Sequence, residues 1–226
     1  MAVEHEARIV RTVEHAADTR SLMLRQTDGP RIAFRPGQFI SCLLPVGRET
    51  LIRPYSMASD PENDDLEICL DRVPGGPGSA YLLGLSDGAA IRFTGPWGTF
   101  VLERTPDAET VFIAQGTGIA AIRPMIRRAV ATNRGRPLAL LHGVPDAAAA
   151  PYRNELEALA RRTPSFRVEH VASARLSDEV ARRWVHADQD RSRHFFVCGI
   201  GAIVPALRDL LRGAGYERRA VQYEKW

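Results

Sequence analysis

At 226 residues, the chain is long enough for two domains of about 100 residues each, and 45% hydrophobic with 25% charged side chains excludes a disordered or collagen-like protein. The net charge of +3 is uneven: 11 basic against 14 acidic residues through Arg104, then 19 against 13, so the second half carries +6 and suits a phosphate-bearing ligand or an acidic partner. Twenty-nine of the 30 basic residues are arginine, but no short basic run interleaves with aromatics as on a nucleic-acid surface, so no nucleic-acid partner is expected.

The first ten residues carry Glu4, His5 and Glu6 and lack the basic start and apolar core of a signal peptide. No apolar run approaches the roughly 20 residues of a membrane helix, so a cytoplasmic protein without a membrane span is expected. Up to Arg104 the pattern is short alternating or apolar runs broken by Gly, Pro and Asp: Ala7–Val13, Ser21–Arg25, Gln38–Leu44, Leu66–Val73 and Ala90–Thr94. These predict an antiparallel β-barrel over residues 1–104, closed at one end by a helix over Ser79–Leu85.

Arg104-Thr105-Pro106-Asp107 reads as a polar joint, after which strands and helices alternate over 105–226. Strands are predicted at Val111–Gln115, Leu138–His142, Phe166–Ala172, His194–Cys198 and Arg219–Tyr223, and helices at Ile122–Thr132, Tyr152–Arg162, Ser177–Trp184 and Ile203–Arg212. The pattern is that of a doubly wound α/β domain with a parallel sheet, in which ligands bind beyond the carboxyl ends of the strands.

Three short segments carry chemistry. Arg53-Pro54-Tyr55-Ser56 offers a bidentate cation for phosphate, an aromatic face for a planar ring and a hydroxyl for a ring nitrogen. Gly75-Gly76-Pro77-Gly78-Ser79 offers accessible backbone and a serine able to cap the next helix. Gly116-Thr117-Gly118, between a strand and a helix, turns backbone N–H groups toward a pyrophosphate. Taken singly, an edge strand with a proline, a glycine-rich turn and a tight strand-to-helix turn account for them equally well. Cys42, Cys69 and Cys198 lack zinc spacing and are too few for a four-cysteine cluster, so no metal is expected and any iron-sulfur centre sits on another protein; their odd number fits a reducing compartment.

In order and spacing, Pro36-Gly37-Gln38-Phe39, Arg53–Ser56, Gly75–Ser79, Gly95-Pro96-Trp97-Gly98, Gly116–Ala120, Cys198-Gly199 and the terminal Glu224-Lys225-Trp226 resemble the ferredoxin-NADP reductase superfamily, in its FAD-dependent form without a fused iron-sulfur domain. The resemblance implies FAD on the barrel, with Arg53 on its phosphate, Pro54 and Tyr55 against the isoalloxazine and Ser56 near N5. It also implies Arg72, Val73, Gly76, Gly78 and Ser79 around the pyrophosphate. Gly116, Thr117 and Gly118 would face the pyrophosphate of NADPH or NADH, with Cys198 and Gly199 beside the nicotinamide. The chain end, a glutamate two residues before a terminal aromatic, is similar to plant and bacterial members, which implies that Trp226 stacks on the flavin and that Ser56, Cys198, Glu224 and Trp226 line the hydride path.

Three positions depart from the family pattern. Ala121 stands where proline is usual and Pro124 follows; Ile200-Gly201-Ala202 replaces a proline-rich continuation; and His142-Gly143-Val144-Pro145-Asp146 lacks the arginine that selects NADPH in relatives, so that either Arg175 of Ser173-Ala174-Arg175 meets a 2'-phosphate or Asp146 favours a free 2'-hydroxyl. The expected function is electron transfer between NAD(P)H and a one-electron carrier, namely ferredoxin, flavodoxin or an oxygenase component. The alternatives are an NAD(P)H:flavin reductase and a flavin-bearing electron-transfer subunit of a larger complex.

Overall fold

The computed structural model describes residues 3–226 apart from 17, 104, 105, 133, 134 and 188. The chain forms two compact units that divide between Val101 and Leu102. Arg104 and Thr105 of the expected joint lie outside the described residues.

The first unit is a six-stranded antiparallel sheet of β1 (Glu4–Ala16), β2 (Thr19–Gln26), β3 (Phe39–Val46), β4 (Glu49–Ser56), β5 (Leu66–Asp71) and β6 (Ala90–Trp97), in the order β4-β3-β6-β1-β2-β5. A bridge between Met57 and Ile68, with the Ala58 N–H donating to the Glu67 carbonyl at 2.7 Å, joins the end of β4 to β5 and curls the sheet into a barrel. Strand alternation sends Ala7, Ile9, Leu22, Leu24, Ile40, Cys42, Leu44, Ile91 and Phe93 into one core. Strand β4 was not among the runs expected from the sequence, because Glu49, Thr50, Arg53 and Pro54 are exposed, which hides the alternation. Pro54 faces Ser41 on β3, and a residue without an N–H is tolerated in a strand that ends the sheet order.

Helix α1 (Pro77–Leu83) begins two residues before the expected start, because Pro77 supplies a preset first helical residue and Gly76 takes the cap position. Ser79 is therefore the third helical residue and does not cap the helix. Its hydroxyl donates to the Gly76 carbonyl at 3.1 Å and accepts from the Val73 N–H at 3.0 Å, bracing the loop from within.

The second unit is a parallel sheet of β7 (Thr110–Gln115), β8 (Leu138–Val144), β9 (Phe166–Ala172), β10 (His194–Gly199) and β11 (Val221–Lys225), in the order β11-β10-β7-β8-β9. The chain builds outward from β7 to β9, then returns to lay β10 and β11 on the other side of β7. That reversal makes the β7/β10 junction the topological switch point, where a crevice opens beyond the strand ends. Helices α2 (Ile119–Thr132), α3 (Arg153–Arg162), α4 (Leu176–Val180) and α5 (Ile203–Gly213) complete the unit. Val180 of α4 and Val204, Leu207 and Leu211 of α5 share a core with Val111, Ile113, Phe195 and Val197. Alternation turns Phe112 and Phe196 to the opposite face, where their rings stack at 5.6 Å.

In the second unit, three departures from the sequence expectation change the local geometry. A 3-10 turn over Gly116–Gly118 leads straight into α2 at Ile119, so Pro124 lies beyond the first helical turn and offers no N–H to the Ala120 carbonyl. The helix expected over Ser177–Trp184 is α4 followed by a π-helical turn, Ala181–His186, with Trp184 buried edge-on to Phe195 at 6.1 Å. The last strand starts at Val221, because Arg218–Ala220 form a 3-10 turn, and it runs to Lys225. Among the described residues, no helix is long and apolar enough to cross a membrane.

Candidate functional site

In the barrel, strand periodicity puts Arg53 and Tyr55 on one face of β4, with Ser56 buried at its end opposite Phe39. The stem of Arg53 passes over α1 so closely that a Cβ on Gly78 would stand 3.1 Å from Arg53 Cγ and 3.7 Å from its Nε. The absent side chain at Gly78 thus lets the Arg53 stem lie against the start of a helix, with Nη1 donating to the Ile52 carbonyl at 2.9 Å, and an exposed guanidinium there fits a phosphate. Burial pushes the Tyr55 hydroxyl up to about 12, so the ring stays neutral beside that cation. Arg72 instead holds Asp18, Nε to Oδ1 at 3.0 Å, while Val73 and Gly76 serve the Ser79 brace. Trp97, 41% exposed, donates from Nε1 to Thr94 Oγ1 at 3.2 Å.

In the second unit the switch-point crevice is built from three strand ends. A Cβ on Gly118 would lie 2.4 Å from the Cys198 carbonyl oxygen, so glycine alone lets the turn after β7 close against β10. Gln115, the last residue of β7, accepts the Ile200 N–H on Oε1 at 3.1 Å and fixes the loop that departs from the family pattern. The Trp226 N–H donates to the Gly199 carbonyl at 3.1 Å, and the Gly201 N–H to the Trp226 carbonyl at 3.0 Å, so the chain end is tied to this loop rather than frayed. Gly116, Thr117, Gly118, Cys198, Gly199, Glu224 and Trp226 are thereby gathered by one sheet edge.

Two groups there are shifted by burial. The Cys198 thiol is fully buried and pushed far above its ordinary range by desolvation, then by the Glu224 charge, which suits a packing residue and not a nucleophile. Glu224, in register with Cys198, is raised to about 7 by burial, and among the described residues its Oε2 has no hydrogen-bond partner. A half-protonated carboxyl near neutral pH is a group able to hold or pass a proton.

Arg175 stands apart, in the 3-10 turn after β9, where it pairs with Glu179 at 3.0 Å. The Ser173 hydroxyl beside it is buried without a partner among the described residues. Asp146 uses Oδ1 to accept the Ala148 N–H at 2.9 Å. His142 was not anticipated: it is fully buried on β8, with Nε2 2.9 Å from the Gly116 carbonyl oxygen. A histidine within the apolar run Leu138–Val144 was the available signal.

The barrel together with a switch-point crevice defines a class: two-domain oxidoreductases that bind a flavin on the first domain and a nicotinamide dinucleotide on the second. Residues 6–102 match the oxidoreductase FAD-binding domain and residues 112–209 the oxidoreductase NAD-binding domain. The chain is 32% identical to ferredoxin-NADP reductase B of Sorangium cellulosum, over 98% of this chain and 97% of that one. It is 30% identical to the ferredoxin-NAD(P)(+) reductase component of the naphthalene 1,2-dioxygenase/salicylate 5-hydroxylase systems of a Ralstonia species, over 94% of this chain and 67% of the relative. Its fold superposes on a ferredoxin NADP+ reductase from Neisseria gonorrhoeae with bound FAD and NADP, at a TM-score of 0.82 and 22% identity, over 100% of this chain and 99% of that one. This chain belongs to the ferredoxin-NADP reductase superfamily and is an oxidoreductase of FAD and a nicotinamide dinucleotide.

Proposed function

We propose that the chain passes electrons between NADPH and a ferredoxin, a flavodoxin or an oxygenase component, in the cytoplasm, through FAD held on the barrel. The observation that carries this reading is the closure of the Gly116–Gly118 turn onto the backbone of Cys198, which makes a dinucleotide crevice at the switch point. Bound flavin takes a hydride from nicotinamide as a pair of electrons and releases electrons one at a time, which is the chemistry that links NAD(P)H to a one-electron carrier.

The chain's own residues supply binding and orientation. Arg53 and the backbone around Gly78 would hold flavin phosphate, Tyr55 would offer its ring to the flavin and Ser56 its hydroxyl to a ring nitrogen. Gly116, Thr117 and Gly118 take the dinucleotide pyrophosphate, and Cys198 and Gly199 offer a small, flat surface for the nicotinamide. Glu224 would hold or pass a proton, and Trp226 would offer an aromatic face for stacking. Arg175, with the buried Ser173 hydroxyl, favours NADPH over NADH by receiving a 2'-phosphate. The odd number of cysteines, Cys42, Cys69 and Cys198, all buried, supports a reducing compartment.

The test is anaerobic titration of the flavin visible band with NADPH and, separately, NADH, followed by transfer to an iron-sulfur carrier. Fast bleaching by NADPH and onward transfer are expected. Bound flavin that neither nucleotide bleaches would leave an electron-transfer subunit, and release of reduced flavin in place of transfer would leave a flavin reductase.

A further inference from the structure

His142 lies next to β7 on β8 and is the neighbour of His170 on β9, the rings 5.4 Å apart. Its Nε2 is 2.9 Å from the Gly116 carbonyl oxygen, and a carbonyl only accepts, so Nε2 carries the proton. The other ring nitrogen, Nδ1, is buried with no partner among the described residues, and the same is true of both ring nitrogens of His170. A second proton on His142 would therefore point into a place that offers no acceptor. The ring stays neutral, as one tautomer, with desolvation as the leading reason.

That bond bears on the turn in front of it. The peptide linking Gly116 to Thr117 is planar and trans, so its C=O and N–H point in opposite directions. Holding the carbonyl toward β8 aims the Thr117 N–H away from β8, to the side on which β10 lies in the sheet order and where the crevice opens. Gly116 has φ +56°, a left-handed conformation, and its carbonyl also accepts the Ile119 N–H within the 3-10 turn, so the imidazole adds a second hold, from β8, on the orientation of that peptide.

We propose that His142 is a positioning residue of the dinucleotide turn: by donating Nε2–H to the Gly116 carbonyl it locks, together with the turn's own bond from the Ile119 N–H, the Gly116–Thr117 peptide so that the Thr117 N–H faces the pyrophosphate. This rests on the reading above that Gly116–Gly118 receives NAD(P)H. The ring touches no substrate in this role; it acts through the peptide it holds.

The test compares flavin-loaded wild type with His142→Phe, which keeps a ring but no donor, and His142→Gln, whose amide nitrogen reaches the same point as Nε2. NADP+ binding is read by calorimetry and turnover by NADPH oxidation. Phenylalanine is expected to weaken NADP+ binding and raise KM for NADPH about tenfold, with kcat within about twofold and the flavin spectrum unchanged, and glutamine is expected to restore most of that loss. In ¹⁵N-histidine spectra of the wild type, one imidazole should remain the neutral Nε2–H tautomer between pH 5 and pH 8 and shift on adding NADP+.

If His142→Phe does not fold, the glutamine variant and the spectra decide. Equal NADP+ binding in wild type and His142→Phe, glutamine no better than phenylalanine, or an imidazole set with no such tautomer overturns the proposal while the reductase reading stands. A wild type that binds no dinucleotide overturns both.

Discussion

Gly118 and the Cys198 carbonyl are in contact to the point that no other residue type fits: the oxygen lies 2.4 Å from where any Cβ at position 118 would be. The opposing atoms are backbone of a central strand, fully buried, so neither side yields without breaking the β7–β10 ladder. Gly118→Ala is expected to destabilise the second unit by about 2–4 kcal/mol, in the range of severe backbone clashes, and to abolish dinucleotide binding. Thermal melting and NADP+ calorimetry check this, and a variant with wild-type values for both would mean that the turn opens freely.

A gentler version of the same geometry operates in the barrel. A methyl at Gly78 would press on the stem of Arg53 at 3.1 Å, an atom of a flexible side chain that moves aside. Gly78→Ala should therefore leave the barrel folded but lower its flavin content at a fixed FAD concentration, and Arg53→Ala should do the same more strongly, by about tenfold in affinity for a lost charge-assisted contact. Equal flavin retention in all three proteins would remove Arg53 from the phosphate.

His142 also makes a prediction about acid. Burial lowers it from 6.5 to about 4, with the carbonyl of Gly116 opposing and His170 adding to the shift. The unfolded chain then binds more protons than the folded one between those values, so this group's contribution to stability is complete above about pH 6.5 and is lost as pH falls toward 4. The difference in unfolding free energy between pH 7 and pH 4 should be larger in the wild type than in His142→Gln by up to about 3 kcal/mol. Urea unfolding at the two pH values measures it, and parallel pH dependence in the two proteins would show that the buried ring does not resist protonation.

Trp226 is held through its backbone, by bonds to Gly199 and Gly201, and its side chain is also within hydrogen-bonding reach of the Cys198 thiol. Trp226→Ala keeps both backbone bonds. If the indole covers the flavin, the substitution should alter the visible flavin spectrum and lower KM for NADPH several-fold, whereas deleting the residue would also release the loop after β10. Identical spectra and KM in wild type and Trp226→Ala would place the ring elsewhere.

The barrel and the parallel sheet were legible because both are written in short-range pattern: alternation over Ser21–Arg25 and Ala90–Thr94, and apolar strands such as Val111–Gln115 followed by Gly-containing turns. The family resemblance rested on such local segments too, which is why the superfamily was recognisable without coordinates. Boundaries failed where a local preference was overridden. Ser79 is a good capping residue in isolation, but Pro77 and Gly76 had already begun the helix. Pro124 suggested a late helix start, but the packing of the preceding residues, Ile119 to Ile122, fully buried or nearly so, holds the first turn in place ahead of it.

The sequence alone determined two units and the order of their elements, since these follow from periodicity. Tertiary structure decided which distant residues meet: Gly118 with the backbone of Cys198, Gln115 with Ile200, Trp226 with Gly199 and His142 with Gly116. Each of those pairs spans a sheet ladder, and strand order is set by how buried faces pack over the whole sheet. No window of neighbouring residues contains that information.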